Sequence, residues 1–119
     1  MEKIKFYKHK TNKTVLELLD GNIDDNYIEI KANTTEAAVE KHLPVYEKQG
    51  ENIIVTVGST LHPMQEDHYI MWIAYLYDNK LEIVELKPTD EPKAIFKYVS
   101  GAEIYAYCNL HGLWMTTIF

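Results

Sequence analysis

The sequence predicts an all-β fold, a β-sandwich. Three observations carry that prediction. Short runs rich in Val, Ile, Tyr and Phe recur along the chain, each closed by Gly, Asn, Asp or Pro. A single stretch has the pattern of a helix start, and Pro44 limits it to a turn or two. The run over residues 69–77 is apolar on both faces, as a central strand or one at an interface must be. At 119 residues the chain is one domain, or one domain with a small appendage, and long enough for a real core.

Residues 4–19 read as a hairpin. Ile4 and Phe6 alternate with lysines, residues 8–13 make a polar turn, and Val15, Leu16, Leu18 and Leu19 follow as the second strand. Asp20-Gly21-Asn22 breaks the pattern, and Tyr27, Ile28 and Ile30 predict a further short strand. A two-stranded piece is marginal by itself and must pack on something, such as another copy of the chain. Asn33-Thr34-Thr35-Glu36 has the form of a capping box, predicting a helical turn that ends on Glu40-Lys41-His42.

Beyond it, residues 53–57 form a strand closed by Gly58-Ser59, and His62-Pro63-Met64 opens a polar loop. His68 leads into the 69–77 strand, which Asp78-Asn79 turns into a strand over 81–86. Residues 88–92 are a loop. Residues 94–99 and 102–107, joined by Ser100-Gly101, read as a last hairpin ending on Cys108. There is no internal repeat and no low-complexity segment.

The net charge of −6 argues against a general nucleic-acid or anionic-membrane surface. A single cysteine excludes an intrachain disulfide framework. Met1-Glu2-Lys3-Ile4-Lys5 lacks the apolar core of a signal peptide, and the longest apolar run is too short to cross a membrane as a helix. A soluble, cytoplasmic protein is the expectation.

The chemistry concentrates in five residues. Cys108 and His111 stand three apart in Tyr107-Cys108-Asn109-Leu110-His111-Gly112, where glycine permits a tight turn. His42, His62 and His68 also fall at element ends, where the loops of a sandwich converge. None lies mid-strand, the place of a satisfied core histidine. Four such imidazoles and one thiol point to a metal centre. Cys–His nucleophilic catalysis through Cys108 is a weaker alternative, because neither a Gly-rich oxyanion elbow nor an orienting third residue is evident.

Three motifs in order resemble the superoxide reductases, the desulfoferrodoxin and neelaredoxin family. They are Glu40-Lys41-His42-Leu43-Pro44-Val45; Gly58-Ser59-Thr60-Leu61-His62-Pro63-Met64 with His68-Tyr69-Ile70; and Cys108-Asn109-Leu110-His111-Gly112-Leu113-Trp114. The resemblance spans about residues 31–115. It implies an immunoglobulin-like sandwich holding one non-haem iron (Fe2+/Fe3+), with His42, His62, His68 and His111 as equatorial ligands and the Cys108 thiolate axial. A sixth position is then open for substrate. The implied activity is one-electron reduction of superoxide to hydrogen peroxide, with the electron supplied by a small protein such as rubredoxin. Lys41 is implied to attract the anion and help deliver protons, and Glu40 to occupy the sixth position of the oxidised iron. An acidic protein needs such a local positive charge to draw in an anion.

The N-terminus departs from the family pattern. Phe6-Tyr7-Lys8-His9-Lys10-Thr11-Asn12 resembles the opening of a desulforedoxin-like module, but His9 and Asn12 stand where its first two cysteines belong. The expectation is a desulforedoxin-like segment over 1–30 without its iron site, retained as a structural and dimerising hairpin, and an iron-binding sandwich domain over 31–119. A homodimer follows from that role. The alternative in a different class is a non-catalytic zinc- or iron-binding sandwich using the same ligands.

Overall fold

The computed structural model describes residues 5–11, 15–18 and 23–119, with side chains of 15–18 outside the description. Ile4, part of the predicted turn at 12–13, Leu19 of the predicted second strand and the break at 20–22 lie outside the described residues. The chain forms two compact units, Met1–Lys31 and Ala32–Phe119.

In the first unit, β1 (Lys5–His9) pairs antiparallel with β2 (Val15–Leu18), forming the hairpin read from the sequence. The strand β3 (Tyr27–Ile30) joins the other edge of β1, giving a three-stranded sheet in the order β2-β1-β3.

The second unit is a seven-stranded sandwich of the immunoglobulin type. Strands β4 (Pro44–Gln49), β5 (Asn52–Val57) and β8 (Lys93–Lys97) make one sheet, ordered β4-β5-β8. Strands β6 (Ile70–Tyr77), β7 (Lys80–Glu85), β9 (Glu103–Cys108) and β10 (Gly112–Thr117) make the other, ordered β10-β9-β6-β7. Every pairing is antiparallel. The one helix among the described residues is a single turn, α1 (Val39–His42). Among the described residues, no helix is long and apolar enough to cross a membrane.

Period-two alternation builds the core. Ile53, Val55 and Val57 of β5, and Ala94 and Phe96 of β8, face Ile73 and Tyr75 of β6 and Ile104, Ala106 and Cys108 of β9. Each fully buried Ile or Val contributes about 1.5–3 kcal/mol. Tyr75 ties the two sheets together, stacking on Phe96 at 4.5 Å while its hydroxyl donates to the Lys97 carbonyl at 2.8 Å. The run over 69–77 is central as expected, since β6 lies between β9 and β7, and Ala74 and Leu76 on its outer face are buried as well as Ile73 and Tyr75 on its inner face. Asp78 and Asn79 both adopt positive φ, the requirement of a two-residue hairpin turn.

Three local expectations are corrected. Asn33 is not a helix cap: α1 begins after Ala38, which makes no side-chain cap bond. Asn33 instead clips onto β10, its N–H donating to Leu113 O and its amide exchanging two hydrogen bonds with the Met115 backbone. β8 and β9 are not a hairpin, because β8 pairs with β5 in the opposite sheet. The last hairpin is β9–β10, with Cys108 opposite Gly112. Strand β4 has no counterpart in the sequence reading. Its outer positions Glu47, Lys48 and Gln49 are exposed, so apolar alternation fades along its length.

Candidate metal centre

Three loops at one end of the sandwich bring the cysteine and histidines together. α1 ends on His42 because Pro44 begins β4, and the Leu43 N–H closes the turn on Val39 O at 2.9 Å. The segment after β5 folds back under that turn. Its Thr60 N–H and Ser59 hydroxyl donate to the Glu40 carbonyl at 2.9 and 3.2 Å, and the His62 N–H returns to Val57 O at 2.9 Å. A Cβ on Gly58 would lie 2.6 Å from the Glu40 oxygen, so only glycine lets the two segments approach this closely. His68 sits in a tight loop in which its N–H and carbonyl are both paired with Gln65, at 3.0 and 2.9 Å. Cys108 ends β9, and His111 precedes Gly112, whose φ of +81° lets the chain reverse into β10.

The four imidazoles form a closed ring of neighbours. Ring centroids lie 4.6 Å apart for His42–His62, 4.7 Å for His62–His68, 5.1 Å for His68–His111 and 4.8 Å for His111–His42. Each adjacent pair is near perpendicular, and the His42–His68 diagonal is 6.3 Å. One donor atom from each of His42, His62, His68 and Cys108 falls within 4.8 Å of all the others. His111 Nδ1 is 3.1 Å from His42 Nε2 and 3.9 Å from Cys108 Sγ.

The protonation pattern suits a cation at the centre of this ring. His42 Nδ1 donates to Ala38 O at 2.7 Å and His62 Nδ1 to Pro63 O at 2.6 Å, because a carbonyl can only accept. In the neutral rings, both Nε2 atoms therefore carry lone pairs, and they face each other at 3.1 Å. Protonation does not relieve the clash. Burial, partly offset by the Pro63 carbonyl and reinforced by the other imidazoles, pushes His62 down to about 4. His42 is lowered in the same way, and His68 by burial first and the His111 imidazole second. His68 Nε2 is buried with no hydrogen-bond partner. One ion held by these nitrogens would satisfy them together. Ring nitrogens anchored on carbonyls are also the usual second partners of metal-bound histidines.

Cys108 is fully buried, and burial raises its thiol. The backbone N–H groups of Leu110 and His111 oppose that and favour the thiolate; a metal ion would complete the deprotonation. Trp114, buried, stacks on His42 at 5.1 Å and donates its Nε1–H to the His111 carbonyl at 3.1 Å. Lys41 and Glu40 are exposed beside the ring, close enough that Lys41 disfavours and Glu40 favours charge on His68 and His42 respectively. His9 lies in the other unit, on Thr11 and Tyr27, and Asn12 is outside the described residues. The motifs themselves contain Asn109, Trp114 and Gly58, but the contacts of Asn109 and Gly58, and the stacking of Trp114 on His42, are long-range.

Fold and centre together define a β-sandwich protein with a cluster of nitrogen and sulfur donors able to hold one metal ion. The family described as Desulfoferrodoxin matches residues 34–117. A desulfoferrodoxin from Clostridium acetobutylicum is 43% identical over 121 residues, covering 97% of each chain. A desulfoferrodoxin homologue from Archaeoglobus fulgidus is 47% identical over 88 residues, covering 73% of this chain and 70% of its own. Among solved structures, a superoxide reductase from Treponema pallidum superposes with a TM-score of 0.76 at 28% identity, over 97% of this chain and 99% of that one. A superoxide reductase from Giardia intestinalis gives 0.59 at 31% identity, over 66% and 97%. The chain belongs to the desulfoferrodoxin family, as its three motifs imply.

Proposed function

We propose that the chain is a one-iron superoxide reductase: superoxide, one electron and two protons give hydrogen peroxide, without dismutation. The observation that carries this reading is the closed ring of four imidazoles beside a buried thiol, with two ring nitrogens facing each other lone pair to lone pair. We assign His42, His62, His68, His111 and Cys108 as the residues that hold the iron. His111 joins the set because its Nδ1 points at the same centre as His42 Nε2. Imidazole suits Fe(II), and a thiolate adds an electron-rich donor.

Iron bound there would supply the single electron that superoxide requires. The chain's own residues do the rest. Lys41, exposed on α1, supplies a positive charge beside the centre of a protein whose net charge is −6, drawing in the anion and offering its ammonium as a source of protons through water. Glu40 is the adjacent carboxylate that can compete for the open metal position. The Leu110 and His111 N–H groups hold negative charge on the sulfur and temper its donation. Val39, Leu61 and Leu110 are exposed large apolar residues, each one to three positions from a ligand.

The reducing equivalent comes from a small donor protein such as rubredoxin, and the chain acts in the cytoplasm as a homodimer. Its N-terminal unit serves as a desulforedoxin-like structural module over 1–30 without an iron of its own, because the only cysteine is Cys108. The test is stoichiometric. Iron-loaded, pre-reduced protein mixed with superoxide should yield one hydrogen peroxide per superoxide consumed and no oxygen. Half that yield with release of oxygen would mean dismutation, and an inert protein would mean a non-catalytic metal sandwich.

A further inference from the structure

His68 is held differently from its neighbours. His42 and His62 each anchor a ring nitrogen on a backbone carbonyl, whereas His68 Nε2 has no hydrogen-bond partner and no carbonyl fixes its ring. Apart from the neighbouring His62 and His111 rings, its placement depends on the backbone that carries it. The side chain of Asn109, next to Cys108, grips that backbone on both sides. Asn109 Oδ1 accepts from the Tyr69 N–H at 3.0 Å, and Asn109 Nδ2 donates to the Asp67 carbonyl at 3.1 Å. The Asn109 N–H adds a bond to the Tyr69 carbonyl at 3.2 Å. The two peptide groups flanking His68 are thereby tied to the residue that follows the sulfur.

We infer that Asn109 is the positioning residue that sets His68 at its distance from Cys108 and so completes the donor ring. This inference rests on the metal-centre reading. An amide is the side chain that fits, since one oxygen must accept and one nitrogen must donate across the same short gap. Asp at this position keeps the acceptor and loses the donor. Ala loses both side-chain bonds, leaving the 65–69 loop with its own Gln65–His68 pairing and the Asn109 backbone bond to Tyr69.

The test is anaerobic Fe(II) affinity measured by chelator competition, on the full chain, with far-ultraviolet circular dichroism to verify folding. Asn109→Ala should weaken binding by about 10–100-fold, the usual effect of losing an outer-shell partner. In a His68→Ala background the same substitution should change affinity by less than about threefold, whereas in a His42→Ala background it should keep most of its effect. A role confined to general stability would lower affinity equally in both backgrounds, and that outcome overturns the assignment. So does an Asn109→Ala protein that binds like the parent. If Asn109→Ala does not fold, Asn109→Asp is carried through the same cycle with the same two outcomes. Failure of the parent protein to take up Fe(II) would instead overturn the metal-centre reading itself.

Discussion

Substituting Gly58 by Ala tests how the first two histidines are held together. The new methyl group would stand 2.6 Å from the Glu40 carbonyl oxygen and 2.9 Å from the Lys41 carbonyl carbon, both rigid backbone atoms. Ordinary contact begins at 3.4 Å, so α1 and the segment after β5 must part by 0.8 Å at this point. That movement strains the Thr60–Glu40 and Ser59–Glu40 hydrogen bonds, which span 2.9 and 3.2 Å. Overpacking of this kind costs about 1–3 kcal/mol, and each weakened hydrogen bond about 1 kcal/mol more. The expected total is about 3–5 kcal/mol. For a domain of this size that lowers the apo melting temperature by roughly 10–20 °C. His42 rides on α1 and His62 on the other segment, so their 3.1 Å approach opens as well. Fe(II) affinity should fall by at least about tenfold, the equivalent of 1.4 kcal/mol. Thermal melts of the apo protein and chelator competition read the two effects separately. A Gly58→Ala protein melting within about 2 °C of the parent would show that the contact is not tight, and would refute the reasoning.

Other perturbations follow from the same geometry. In the apo protein His62 titrates near 4 when folded and at the ordinary 6.5 when unfolded, so the unfolded chain binds the extra proton between those values. Apo stability should therefore be full above pH 6.5 and fall by on the order of 2–3 kcal/mol as pH drops toward 4, measured by urea melts across that range. Trp114→Phe keeps a ring against His42 but leaves the His111 carbonyl without its donor; metal affinity should fall several-fold, or about 1 kcal/mol, and Trp114→Ala should cost much more. Lys41→Ala should leave iron bound and slow superoxide capture by about three- to tenfold at low salt, with the difference shrinking as ionic strength rises. Equal second-order rates at low salt would remove the steering role.

Legibility in the sequence followed the range of the interactions. Asp78-Asn79, the alternation of β5 and the doubly covered run of β6 are set by neighbouring residues, and they could be read directly. The His and Cys positions were legible because element ends carry turn residues that mark them. Asn33-Thr34-Thr35-Glu36 has the local form of a cap, yet the same amide finds two partners on β10, and the long-range clip prevails. Ser100-Gly101 signals a turn in either case and does not say whether the chain reverses within a sheet or crosses between sheets. β10 was masked because its first residues belong to the ligand motif. Asn109 reaches partners that no spacing rule connects, since it meets Asp67 and Tyr69 only once β6 and β9 have paired, and Trp114 likewise stacks on the distant His42.

The central claim is that Cys108 and the histidine ring hold one iron. The most direct measurement is the visible spectrum with metal analysis of anaerobically reconstituted protein, before and after ferricyanide oxidation, beside a Cys108→Ser variant. The account predicts one iron per chain and an intense thiolate-to-ferric band in the oxidised parent. That band should be bleached by ascorbate or superoxide and missing from the variant. A parent protein that stays colourless after reconstitution, or a band that survives Cys108→Ser, would contradict it.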